Sequence, residues 1–325
     1  MAKDWERLIE CIKKNRNFIL AAHENPDGDA LGSVLALRLI LEKMGKKVEV
    51  AIDPAAVPSK YDFLPGVNRL KSKVNLQTPF VFVALECGSQ SRLGVTQNLV
   101  DKASIFVNID HHPDNDNFGD INVVNPESAA VCALIFQLAN RLRIDLDYSI
   151  ALCLYVGVIT DTGRFQYSNT TPQILQIAKE LLTYGLDPYQ IFRKIFENQT
   201  LNSVKLFSLV IDRLEFDEKS KVISSYLTRK DFDKIKIEYH ETENYIDFLR
   251  AVKDVEAAVF LKEITEGTFR VGLRSTGRVN VGEIARLFQG GGHSLAAGFS
   301  SQEDREKIVA TIRERVIADL KSPKD

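Results

Sequence analysis

Short apolar runs alternate with longer amphipathic stretches through the first half of the chain. Residues 18–22, 48–52, 80–85 and 105–109 read as strands, while 31–44 and 129–143 carry apolar side chains at helical spacing. Strands that alternate with helices in this way predict an α/β domain, a largely parallel sheet flanked by helices. Two further helical patterns follow. Residues 172–184 close at the Gly-Leu-Asp-Pro break of 185–188, and 189–197 form the next. A change of pattern near 186–204 marks the domain joint. The predicted division is 1–186, a linker helix at 187–204, and a smaller α+β domain at 205–325. In the latter, 221–228, 257–264 and 269–274 read as strands, and 281–288 and 304–320 as helices. The last residues, 321–325, read as a frayed tail.

Composition narrows the function classes without choosing one. The 325 residues carry 42 Lys+Arg against 44 Asp+Glu, so no basic surface suited to long nucleic acid is expected. The cysteines, Cys11, Cys87, Cys132 and Cys153, show no CxxC spacing, which argues against a structural zinc site and for reduced, buried thiols. Residues 150–159 form the longest apolar stretch, far short of the roughly 18 residues of a membrane span. The acidic and basic residues Asp4, Glu6 and Arg7 oppose a signal peptide, so no membrane association and a cytoplasmic protein are expected.

Candidate chemistry gathers where strands end. After the first apolar run comes His23-Glu24-Asn25-Pro26-Asp27-Gly28-Asp29, read as a loop kept irregular by Pro26 and Gly28. The run at 80–85 ends in Glu86, and that at 105–109 in Asp110-His111-His112. Asp161 follows an apolar segment within Thr160-Asp161-Thr162-Gly163, a common turn sequence. The first three groups fall at the carboxyl edge of a predicted parallel sheet, where such sheets bind ligands, so one shared site is expected. Carboxylates converging there would raise one another's pKa values unless cations held them ionised, which argues for bound metal. Oxygen and imidazole donors without thiolate favour Mn²⁺, with Mg²⁺ or Co²⁺ as alternatives. The six candidates His23, Asp27, Asp29, Glu86, His111 and Asp161 exceed the needs of one ion, so two are expected. A pair of ions would lower the pKa of a shared water and clamp phosphoryl oxygens. Strand alternation points Cys87 away from Glu86.

Together these segments resemble the four motifs of the DHH phosphoesterase superfamily, and the second half, through Arg274-Ser275 and Gly290-Gly291-Gly292-His293, resembles the DHH-associated substrate domain. Within the superfamily the match is to the nanoRNase/pAp phosphatase type. The resemblance implies that His23 and Asp27 hold one ion, Asp29, His111 and Asp161 the other, and that residue 86 bridges them. It further implies that His112 faces the substrate phosphate and that Asp110 orients the histidine pair. The bridging position is usually Asp in this family, and Glu86 is longer by one methylene. In the second half, Arg274 and Arg278 offer forks for phosphate, His293 a donor, and Gly291 and Gly292 a backbone free to approach an anion. Ser275 is grouped with them as substrate-binding. His240, in the acidic stretch 238–241, reads as a surface residue.

The function so implied is hydrolysis of short RNA oligonucleotides to mononucleotides and dephosphorylation of 3′-phosphoadenosine 5′-phosphate (pAp), with substrate held between the two domains. Long duplex DNA is excluded as a partner, and a homodimer is left open. One alternative is a phosphodiesterase for cyclic or linear dinucleotides. Another, prompted by Glu86, is a nucleotide-binding regulatory protein with weak catalysis. Pyrophosphatase chemistry, which pairs a similar metal set with a Lys- and Arg-rich clamp, ranks behind them.

Overall fold

The computed structural model describes residues 2–75, 77–237, 242 and 244–321; the acidic stretch with His240 and the tail 322–325 lie outside the described residues. The chain forms two compact units, Met1–Asn198 and Gln199–Asp325. The stretch read as a linker is divided between them. Ile191 and Ile195 are buried in the core of the first unit, and Leu206 and Val210, in the helix that follows, are buried in the second.

The first unit runs α1 (Ala2–Lys14), β1 (Asn17–Ala21), α2 (Gly28–Lys43), β2 (Lys47–Val50), β3 (Val81–Leu85), β4 (Ile105–Asp110), β5 (Ile121–Val124), α3 (Val131–Leu142), α4 (Tyr148–Asp161), α5 (Pro172–Leu182) and α6 (Pro188–Phe196). Its sheet has the order β2-β1-β3-β4-β5, with every neighbouring pair parallel. Strand alternation sends Phe18 and Leu20 into one core and Ile19 and Ala21 into the other. Both faces are therefore covered, which is why β3 is apolar and buried at every position.

Helix α2 is buried along nearly its whole length and packs on α4. Close approach depends on Gly157, where a side chain would run into Cys132 Sγ and stand 2.6 Å from Asp29 Oδ1. Cys87 turns into the face opposite α2, as alternation requires, and all four cysteines are free and buried. Two local expectations need correction. Residues 27–29 do not form an irregular loop: Asp27 is the N-cap of α2, accepting from the amides of Asp29 and Ala30, and Gly28 and Asp29 lie in its first turn. Asp161 does not sit in a free turn either, but is the last residue of α4. Helix α1 and strand β5 add to the elements read from the sequence.

The second unit runs α7 (Leu201–Asp212), β6 (Glu215–Asp217), β7 (Val222–Leu227), α8 (Arg229–Ile235), α9 (Tyr245–Arg250), β8 (Ala257–Thr265), β9 (Thr268–Ser275), α10 (Val281–Leu287), β10 (Gly291–Gly292), β11 (Ala296–Ser301) and α11 (Arg305–Lys321). Its mixed sheet has the order β10-β11-β9-β8-β7-β6, in which β7 and β8 are parallel and the other pairs antiparallel. No helix among the described residues is long and apolar enough to cross a membrane.

Candidate metal centre

Five backbone segments of the first unit deliver the candidate side chains. His23 follows β1, Asp29 stands in the first turn of α2, Glu86 follows β3, Asp110 ends β4 with His111 and His112 directly after it, and Asp161 ends α4. All are buried except Asp161, which is about one-fifth exposed, and Asp27, the N-cap of α2, which is exposed. Single ligand atoms of Asp29, His111 and Asp161 lie within 4.8 Å of one another. His111 Nε2 is 3.4 Å from Glu86 Oε2 and 3.6 Å from Asp161 Oδ2. The Glu86 carboxylate is aimed there by a left-handed backbone, with φ 55°. That conformation is uncommon for a side chain larger than Asn or Asp and is held here by its surroundings.

Hydrogen bonds fix which nitrogen of each imidazole faces which partner. His111 Nδ1 is 3.0 Å from the Ser128 carbonyl, a bond in which Nδ1 must donate, so Nε2 is the nitrogen turned to Glu86 and Asp161, protonated in the metal-free protein and able to offer its lone pair once that proton leaves. His112 Nδ1 lies 2.9 Å from Asp110 Oδ1. Asp110 thus holds His112, and the Ser128 carbonyl holds His111. Asp29 has both oxygens engaged: Oδ2 accepts from the Val131 amide at 2.6 Å and Oδ1 from that of Cys132 at 2.9 Å.

Charge at the site follows from this crowding. Burial, with Glu86 next, pushes the Asp29 carboxyl up to about 7. Burial likewise raises Asp161, opposed by His111 and aided by Asp29. Burial also works against Glu86 ionising, yet the imidazoliums of His111 and His112 overcome it and hold Glu86 below the usual carboxylate range. His112 is pushed up to about 9: burial opposes protonation, and Glu86 and Asp110 outweigh it. Burial lowers His23 against the pull of Asp27, with Arg92, Glu86 and His112 acting more weakly.

This donor set fits divalent cations. Glu86 Oε2 is buried and makes no hydrogen bond among the described residues, and carboxylate oxygens and imidazole nitrogens converge on a few ångströms. Protons now do part of what cations would do, which has a measurable consequence. In metal-free protein the raised Asp29 makes stability fall as pH rises from about 3.8 to about 7. The raised His112 adds a loss between 6.5 and about 9. The melting temperature of metal-free protein should therefore fall from pH 6.5 to 9, and saturating Mn²⁺ should abolish the fall, because ligands that bind metal release their protons. A flat or rising melting temperature without metal would contradict this reading of the cluster.

Three side chains or groups at the site were not read from the sequence: Arg92, Asn115 and the Ser128 carbonyl. Arg92 Nη1 comes within 3.5 Å of His112 Nε2 and has no carboxylate partner among the described residues. A short Ser-Gln-Ser-Arg segment carries no motif that would have announced it.

In the second unit the candidates are more heavily engaged than expected. Arg274 Nε stands 3.4 Å from Asp247 Oδ1, and Arg278 pairs with Glu256 at 2.8 Å. Ser275 is buried, its hydroxyl accepting from the Gly277 amide at 3.0 Å, which makes it a turn residue. Gly291 and Gly292 do not leave a free loop; they pair with Gly298 and Ala297. At Gly292, with φ 134°, a side chain would press on the Ala296 carbonyl 2.6 Å away, so the close approach is to β11. His293 is half-buried directly after this pair.

Comparison with known proteins bears on the same segments. The model of the DHH family, N-terminal domain, matches residues 17–158, and that of the DHHA1 domain matches 219–318. A Thermus thermophilus protein named bifunctional oligoribonuclease and PAP phosphatase NrnA is 30% identical over 323 residues, 96% of this chain and 95% of its own. A Bacillus subtilis protein of the same name is 28% identical, covering 94% of this chain and 96% of its own. The crystal structure of an exopolyphosphatase-related protein from Bacteroides fragilis superposes with a TM-score of 0.87 at 24% identity, over 97% of this chain and 96% of that one. It shares the fold.

Proposed function

The chain belongs to the DHH family of phosphoesterases and is a hydrolase, and on that premise we propose that it degrades short RNA oligonucleotides to mononucleotides and dephosphorylates pAp. The observation that carries the reading is the convergence of Asp29, His111, Asp161 and Glu86 at the sheet edge, in a chain similar along almost all its length to the oligoribonuclease and PAP phosphatase relatives.

We assign His23 and Asp27 to one divalent ion, Asp29, His111 and Asp161 to a second, and Glu86 to a position between them, with Mn²⁺ as the metal. Ions held there would lower the pKa of a water and neutralise phosphoryl oxygens. The chain's own groups do the rest. Ser128 and Asp110 hold the two imidazoles in single orientations. His112 keeps a proton against Asp110 and turns Nε2, with the Arg92 guanidinium, toward the phosphate. In the second unit Arg274, Arg278 and His293 are assigned to further substrate phosphate, which would compete with Asp247 and Glu256 for the arginines. Four free cysteines support a reducing, cytoplasmic setting.

The test is Mn²⁺-dependent release of nucleoside monophosphate from labelled di- to pentaribonucleotides, and of phosphate from pAp. Absence of turnover with Mn²⁺, Mg²⁺ and Co²⁺ would sink the proposal, and faster turnover of cyclic dinucleotides would redirect it. The extra methylene of Glu86, at a position usually held by Asp, motivates a second reading, a nucleotide-binding regulatory protein with weak catalysis. Glu86→Asp separates the two. The hydrolase reading expects robust wild-type activity; an inactive wild type rescued by Asp would establish the binding protein.

A further inference from the structure

The Asn115 side chain saturates its hydrogen-bonding capacity at the back of the candidate centre. Its amide nitrogen donates to Asp110 Oδ2 at 2.6 Å and to the Cys87 carbonyl at 3.1 Å. Its oxygen accepts from Asn108 Nδ2 and from the Asn117 amide, each at 2.8 Å. Two donated and two accepted bonds are all that a primary amide can make, and they fix which end is nitrogen. The anchor behind it is rigid: Asn108 is fully buried in β4, on the same strand face as Asp110, and also donates to Asn122 Oδ1 on β5 at 3.3 Å.

Each partner of the amide nitrogen belongs to a different part of the site. Asp110 Oδ1 holds His112 Nδ1, so the bond to Oδ2 fixes the carboxylate plane that aims the ring. The Cys87 carbonyl follows Glu86, the residue with φ 55°, so the second bond ties down the turn that carries the Glu86 carboxylate. A carboxylate with only one oxygen engaged could rotate about its Cβ–Cγ bond and let the imidazole follow. Outer partners of this kind are where much of the orientation of a metal site resides.

We propose that Asn115 is a positioning residue of the hydrolytic site, acting through Asp110 to hold His112 in a single orientation. The proposal rests on the phosphoesterase reading above, and its test includes a readout independent of turnover. Asn115→Asp keeps the size and the acceptor oxygen but sets a carboxylate against Asp110; Asn115→Ala removes the amide. Both variants are expected to lose about 10–100-fold in kcat on a diribonucleotide with Mn²⁺, at nearly unchanged KM. In an Asp110→Ala background Asn115→Ala should add almost nothing, because the group through which it acts is gone. Long-range ¹H–¹⁵N spectra of the folded, metal-free protein should show the His112 Nδ1 proton held in one sharp hydrogen-bonded signal in the wild type and a broadened, shifted one in Asn115→Asp. Wild-type kcat in both variants, losses that multiply with Asp110→Ala, or an unchanged His112 signature in Asn115→Asp would each overturn the proposal. If the wild type itself turns nothing over, the phosphoesterase reading fails and the His112 spectra alone decide the role of Asn115.

Discussion

His111→Ala is expected to lower kcat/KM on a diribonucleotide by at least about 10³-fold, more than the about 10–100-fold cost of changing groups that stand behind metal ligands. The imidazole is the one nitrogen donor in the group formed with Asp29 and Asp161. Its Nε2 also faces Glu86 Oε2 at 3.4 Å, and its tautomer is already set by Ser128. The adjacent His112 is held by its Nδ1 against Asp110 and so is tied to a different orientation. The loss should appear in Mn²⁺ titration calorimetry as well as in turnover, with one binding event weakened or missing. The metal-free variant should also be less stable, because Glu86 and Asp161 outweigh the burial of His111 and hold its pKa well above the ordinary value, so the charged ring contributes net stability that the substitution removes. Retention of hydrolysis within tenfold of wild type would show that His111 is not a ligand.

What the sequence made legible was whatever local pattern encodes. Strands β1, β3 and β4 are largely apolar and buried, and the acids and histidines that follow them fall at one sheet edge as parallel topology requires. Strand β5 was not legible because Ile121–Val124 is short and includes Asn122, whose side chain serves the polar network of Asn108 and not an apolar face. The start of α2 was misread because Pro26 and Gly28 suggest a loop, while Asp27, a strong N-cap residue, outweighs them. Partners distant in sequence were beyond reach in principle. Nothing near His111 announces Ser128, nothing near Asp110 announces that a single amide will link it to Cys87, and Gly291-Gly292 looks the same whether it faces an anion or a strand.

Asp29→Ala should cost both activity and fold, and that combination distinguishes it from Asp161, a candidate ligand of the same group. The N-cap residue of α3, Ala130, offers no side-chain acceptor, so the first amides of that helix depend on a carboxylate 102 residues away in sequence. Asp29 accepts from Val131 and Cys132 while buried to 1% exposure. Removing it orphans two buried donors at about 1–3 kcal/mol each and deletes a negative charge at a helix N-terminus. Relief of its repulsion with Glu86 offsets part of this, as its raised pKa indicates. A net loss of about 2–4 kcal/mol in unfolding free energy is expected, within the range of buried polar deletions. Asp161→Ala is the control: it removes a candidate ligand of the same group from the end of α4, where its side chain does not cap a helix N-terminus, so hydrolysis should vanish while stability holds. Urea unfolding of both variants in EDTA at pH 7.5 makes the comparison. Equal stability of the two would mean that α3 finds another acceptor for its first amides, and that Asp29 serves the metal centre alone.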